Sequence, residues 1–178
     1  MKKVFMGIDS GLTGALCSMT KNTDEPMLLE DLPRFEYGKV KWIDGPAFLD
    51  LLRRARGGYS ASECFLTIEV TQAMGGPFSN GSIAANSMGR TLGSMLSVVQ
   101  IAGIPFDLVA PARWKRSLDL TGKDKDKEFC RAKARMLLPQ LCDRLERKKD
   151  HNRAEAALLA YYGAYFGGGA GIRQGAEP

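Results

Sequence analysis

Paired cysteines, internal repeats and long apolar runs are all missing from this 178-residue chain. Cys17, Cys64, Cys130 and Cys142 form no CxxC pair and have no zinc-like spacing, which removes a thiolate zinc centre from consideration. Two of them lie inside apolar runs, where cysteine behaves as a small buried hydrophobe. No segment approaches the length of a membrane span, and Met1-Lys2-Lys3 leads directly into a short strand pattern rather than a leader-like apolar stretch. A cytoplasmic location without membrane association, with reduced thiols, is therefore expected. The last residues hold too little apolar content to fold. The expected organisation is one domain over residues 1–166 and a Gly-rich flexible tail over 167–178.

What is present describes an ordinary globular protein, 44% hydrophobic and 25% charged, long enough to bury a substantial core. Its net charge of +5 and pI near 9.1 favour a polyanionic partner. More than half of the Lys and Arg fall between Arg113 and Arg153, about a quarter of the chain. Acids are interleaved there, so part of the run is a solvated helix face. The remainder is a concentrated source of phosphate contacts, with Arg113, Lys115, Arg116, Lys123, Lys125 and Lys127 as candidates.

Periodicity orders the elements. Val4 to Ile8 predicts a buried strand, Ser10 to Gly14 a turn, and Ala15 to Thr20 a hairpin partner. Met27 to Leu32 would complete a meander. Gly45-Pro46 opens an amphipathic helix that ends in arginines, and Phe65 to Val70 reads as a central strand. The segment Thr71 to Gly81 is too rich in Gly and polar residues for regular structure, and loops of this length are usually functional or mobile. A long helix over Ile83 to Ile101 carries Gly89 and Gly93 four residues apart, permitting close helix approach within the monomer or across a dimer. A strand over Ile104 to Val109, a short helix from Pro111, a basic helix from Asp126 to Leu138 and a last helix over about Asn152 to Phe166 complete the pattern. Trp114 reads as a core anchor. The fold class is α/β, with a mixed sheet of about five strands and helices on both faces.

Three carboxylates stand at the ends of these elements. Asp9 closes the first apolar run, Glu69 closes Phe65-Leu66-Thr67-Ile68, and Glu155 lies in the first turns of the last helix. Strand ends meeting one helix can gather acids that are distant in sequence. Gathered acids repel one another, and a divalent cation is the usual compensation. On a basic protein this pattern points to metal-dependent cutting of nucleic acid.

Gly7-Ile8-Asp9-Ser10-Gly11-Leu12-Thr13-Gly14 resembles the opening strand of the RuvC-type Holliday-junction resolvases, in the RNase H-like superfamily. Ile68-Glu69 followed by a loop and a long helix is similar to their second acidic position. Asp150-His151-Asn152-Arg153-Ala154-Glu155-Ala156 is similar to the start of their last helix, in the version of phage-encoded relatives, and Val109 to Lys115 is similar to a segment after one of their later strands. The resemblance implies an RNase H-like fold and a homodimeric magnesium-dependent endonuclease, with Mn2+ able to substitute. Such an enzyme resolves four-way junctions and other branched DNA by paired nicks. It implies two ions per site, with Asp9 bridging and Glu69 and Glu155 each holding one, and a loop after Glu69 that meets the junction. Bacterial members carry an acid or a histidine three residues before the final acid, where this chain has Asn152. By helical geometry His151 lies about 40° and Asn152 about 60° from Glu155, and Asp150 about 140° away. Asp150 joins only by preceding the helix and turning back. His151, the sole histidine, and Asp150 are both candidates for the fourth member, Asp150 as a further metal ligand.

Other readings exist for each acid. Ile-Asp-Ser-Gly also occurs at the phosphate loop of sugar kinases and actin-like ATPases, but those need two such domains and 178 residues are too few. Glu69 in a salt bridge and Glu155 on an ordinary helix surface are the structural alternatives. A non-catalytic protein that binds branched DNA or RNA on the same fold is the functional one.

Overall fold

The computed structural model describes residues 2–21, 26–38, 40–70, 81–121 and 127–167. The β-strands are β1 (Val4–Ile8), β2 (Ala15–Thr20), β3 (Pro26–Asp31), β4 (Arg34–Tyr37), β5 (Val40–Ile43), β6 (Cys64–Glu69) and β7 (Phe106–Val109). The α-helices are α1 (Gly45–Ala55), α2 (Gly81–Ile101), α3 (Pro111–Ser117), α4 (Lys127–Leu137) and α5 (His151–Tyr165). Five strands form one mixed sheet in the order β3-β2-β1-β6-β7, with the β1–β2–β3 meander antiparallel and β1, β6 and β7 parallel. This is the α/β arrangement that the sequence pattern predicts. The strand expected over Ile104 to Val109 begins two residues later, at Phe106.

Strand alternation divides the core in two. Val4, Met6 and Ile8 of β1, with Leu66 and Ile68 of β6, face α1 and α2, where Phe48, Leu51, Leu52, Met95 and Val99 are buried. Phe5 and Phe65 face the other way, toward α3 and α5 and the segments between them. Gly7 and Asp9 share that second face with Phe5, and Thr67 and Glu69 share it with Phe65. The period of two thus fixes the direction of both acids.

Helix α5 is buried almost all round, including Ala154, Ala156 and every residue from Ala157 to Ala160, as suits a helix held between a sheet and a second helix. Its approach to the sheet is close enough that a Cβ on Gly7 would lie 2.2 Å from the Ala156 carbonyl oxygen and the Ala160 nitrogen. A Cβ on Gly163 would lie 2.5 Å from Thr67 Oγ1. Both positions need glycine because backbone meets sheet there. The first contact also brings Glu155, next to Ala156, over the end of β1.

A second, two-stranded sheet of β4 and β5 stands outside the main sheet and is absent from the sequence expectation. Of the loop expected over Thr71 to Gly81, Gly81 instead opens α2, and the rest lies outside the described residues, as does the tail beyond Gly167. Among the described residues no helix is long and apolar enough to cross a membrane.

Candidate active site

Asp9 and Glu69 follow paired positions of parallel neighbours: Ile8 is registered with Ile68, so the two acids emerge side by side at one end of the sheet. Glu155 descends on them from the first turns of α5. One carboxylate oxygen from each of the three lies within 4.8 Å of the others, a set able to hold a divalent cation.

Each acid has a distinct partner. Asp9 Oδ1 accepts from the Gly11 backbone N–H at 3.3 Å, in the turn that leads to β2. Glu69, only 8% exposed, accepts from Trp114 Nε1 at 2.6 Å, and the indole that donates is fully buried. Glu155 accepts from Lys115 Nζ at 2.8 Å. Trp114 and Lys115 are consecutive on α3, so one short helix entered at Pro111 supplies a donor to two of the three acids.

The electrostatics follow from burial and like charge. Burial chiefly, and then the Glu155 carboxylate, push Asp9 up to about 6; the Gly11 N–H, His151 and Lys115 pull in the opposite direction. Burial pushes Glu69 up to about 7, opposed first by the Trp114 hydrogen bond, while Glu155 and Asp9 add to the rise. Burial also works against the Lys115 ammonium, but Glu155 outweighs it and holds that lysine above its ordinary range. Among the described residues Asp9 and Glu69 have no ion pair, so one lysine faces three carboxylates. Closed acid–arginine pairing, the structural alternative for Glu69, is not what the site contains. The nearby Cys130 thiol is pushed up to about 11, mainly by burial and then by Glu155, and stays protonated.

Asp150 stands apart from this group, contrary to its expected place as a ligand. It does precede α5, but its carboxylate turns to Arg147, which binds it through the backbone N–H at 2.9 Å and the guanidinium at 2.8 Å. The Arg147 hydrogen bonds hold its carboxyl below the usual range although it is only 3% exposed. A buried acid already neutralised has little to offer a metal. Asn152 donates to the Thr13 carbonyl at 2.6 Å and to Thr13 Oγ1 at 3.0 Å, pinning α5 to the turn after Asp9. His151 Nε2 lies 2.9 Å from Lys127 Nζ. It is outside the three-acid group, yet near enough to favour the charged form of Asp9.

The basic candidates divide as well. Lys115 is an internal partner of Glu155 rather than a surface contact. Arg113 and Arg116 are exposed on α3, Arg113 with a 3.9 Å contact to Asp107, and Lys127 begins α4 beside His151. Lys123 and Lys125 lie outside the described residues. Sequence reasoning missed that Trp114 and Lys115 are aimed at the acids. The signal lay in their adjacency after Pro111, but only the packing of α3 against α5 gives it direction.

No family model matches the sequence, and no curated protein sequence matches it significantly. Solved structures do match. A Thermus thermophilus RuvC in complex with a Holliday junction substrate shares 18% identity and a TM-score of 0.59, covering 92% of this chain and 97% of its own. A second T. thermophilus RuvC structure shares 19% identity and a TM-score of 0.50, covering 89% of this chain and 94% of its own. The chain therefore has the RuvC fold, of RNase H-like type, along nearly its whole length.

Proposed function

We propose that this protein is a RuvC-type endonuclease that uses divalent metal to nick branched DNA, chiefly four-way junctions. The observation that carries this reading is the convergence of Asp9, Glu69 and Glu155 at one end of a RuvC-like sheet, with Lys115 the one lysine among them in the described residues. Two Mg2+ ions, replaceable by Mn2+, would be held by these three carboxylates, with Asp9 shared, and would supply activation of water and stabilisation of the leaving oxygen.

The protein's own groups have separable tasks. Trp114 fixes one Glu69 oxygen and, among the described residues, leaves the other to a cation. Lys115 offsets part of the charge at Glu155, which keeps the site tolerable before cations arrive. Asn152 locks the acid-bearing turn to α5. Arg113 and Arg116 on the α3 surface, with Lys127 beside His151, are placed to take backbone phosphates around the acids. His151 belongs with that contact group in this reading, and Asp150 serves structure through Arg147.

Homodimerisation is part of the proposal. A Cβ built on Gly89 or Gly93 meets nothing within 4 Å, so the described monomer does not use these glycines for a close helix approach, and their exposed face of α2 is available to a second copy. Two sites related by a two-fold axis suit paired nicks across a junction.

Lys115 also supports one alternative. An ammonium already placed against Glu155 is what a binding protein with a decayed metal site would retain. Incubation of the protein with a four-way junction, a Y-fork, a linear duplex and an RNA–DNA hybrid, each with Mg2+ or EDTA, separates the two. The nuclease reading expects metal-dependent nicks on opposing strands of the junction and little on the duplex; tight junction binding without any nick in Mg2+ or Mn2+ supports the binder.

A further inference from the structure

The hairpin of β4 and β5 has no counterpart in the acid site and buries little of itself. All four residues of β4 are exposed. Cross-strand pairing sets Phe35 opposite Trp42 and Tyr37 opposite Val40, so alternation collects these four side chains on one face. Phe35 is 45% exposed, Tyr37 80% and Val40 36%. The Arg90 guanidinium lies 4.9 Å from the Trp42 ring centroid, a cation over an aromatic face.

Two observations place the hairpin at the acid-bearing end. First, a Cβ on Gly45 would lie 3.7 Å from Val98, whereas Trp42 meets Arg90, two turns nearer the start of α2. Strand β5 therefore runs alongside α2 in the same direction, and the hairpin tip points toward Gly81. That end of α2 lies with the Glu69 end of β6, because α2 must return the chain to the start of β7, which is parallel to β6. Second, Arg34, the first residue of β4, lines a cavity of about 360 Å3 together with Thr13, His151 and Asn152, the residues that flank Asp9 and Glu155.

The chemistry of the face selects its occupant. Arg90 brings a cation from α2 onto this face over Trp42, while Arg34 and Lys41 stand on the reverse of the hairpin, Lys41 paired with Glu36 at 2.9 Å. Taking 150–250 Å2 for a whole aromatic side chain, the exposed apolar part of the face amounts to roughly 300 Å2. A stable protein interface needs about 800 Å2 per partner. An exposed aromatic face with a guanidinium over one of its rings, too small on its own to hold a second protein copy, suits a surface on which bases stack while a nearby cation takes phosphate. We infer that the Arg34–Ile43 hairpin is a stacking platform for unpaired or splayed bases next to the cleavage point of branched DNA, an inference that rests on the nuclease reading above.

The test measures binding of the full-length protein in EDTA to a four-way junction carrying 2-aminopurine at the branch, and to a linear duplex of equal length. The variants are F35A/Y37A and the aromatic exchange F35Y/Y37F. Base–aromatic stacking predicts a loss of at least about tenfold in junction affinity for F35A/Y37A, with duplex affinity unchanged. F35Y/Y37F should bind as the wild type does, and the 2-aminopurine signal should change on binding only where the rings are present. Equal junction affinity of wild type and F35A/Y37A, while the wild type nicks junctions in Mg2+, overturns the platform and leaves the nuclease reading intact. A DNA-free dimer that dissociates in F35A/Y37A, followed by sedimentation velocity, assigns the face to a second copy and overturns it too. A wild type that neither binds nor nicks the junction removes both readings.

Discussion

Replacing Asp9 by Asn should stabilise the metal-free protein at alkaline pH while removing its response to Mg2+. Asp9 is pushed from 3.8 up to about 6, first by burial and then by Glu155. Below pH 4 the folded and unfolded chains both carry the proton, so the acid is neutral to stability. Between about pH 4 and 6 the unfolded chain releases it first, and stability falls as pH rises. Above pH 6 the whole cost, on the order of 3 kcal/mol at 1.36 kcal/mol per tenfold difference in proton affinity, is present. Asn carries no charge and can still accept from the Gly11 N–H. Partial solvation and Lys115 reduce the gain to about 1–3 kcal/mol, which for a domain of this size raises the melting temperature by roughly 3–10 °C. Thermal melts of both proteins at pH 4.5 and pH 8, in EDTA and in excess Mg2+, measure this. D9N should melt above the wild type at pH 8 in EDTA, keep only about a third of that advantage at pH 4.5, and gain nothing from Mg2+. At a hundredfold excess of Mg2+ over its dissociation constant, the wild type should gain about 2.7 kcal/mol. D9N melting below the wild type at pH 8 in EDTA, or equal Mg2+ gains in both, refutes the reasoning.

Trp114→Phe keeps the buried ring but removes the donor to Glu69; a loss of about 1–3 kcal/mol is expected, and Glu69 should hold its proton to higher pH. The pH midpoint of Mn2+ binding should accordingly move upward relative to wild type. Lys115→Met leaves Glu155 unpartnered against two other acids. Because the pair is partly exposed, destabilisation of about 1–3 kcal/mol is expected in EDTA. Saturating Mg2+ should remove most of that loss in thermal melts. Gly7→Ala forces a Cβ into the backbone of α5, costing about 3 kcal/mol or more. Chemical denaturation should show it, together with loss of junction nicking as Glu155 moves away from Asp9.

The strand–helix order and the three acids were legible because they depend on local pattern. Apolar runs end at Asp9 and Glu69, and a period of two sends both to one face. Convergence with Glu155 required a non-local event, the docking of α5 on Gly7, which no local pattern announces. Asp150 misled because sequence shows its position before α5 but not the arginine at 147 that captures it. Lys115 read as a phosphate contact because charge alone cannot distinguish a surface lysine from one aimed inward by the helix it shares with Trp114. The hairpin of β4 and β5 was the largest omission. Its alternation of Phe35, Tyr37, Val40 and Trp42 is visible in the sequence, but strand patterns are sought as core elements, and this face is turned to solvent.

Calorimetric titration of Mn2+ into the wild type and into D9N at pH 8 tests most directly whether the three carboxylates share cations. Saturable binding to the wild type should weaken as pH falls through 7 and 6, where protons compete for Glu69 and Asp9, and D9N should show no comparable binding. Identical isotherms for the two proteins, or a wild type that takes up no Mn2+ at pH 8, would contradict such sharing.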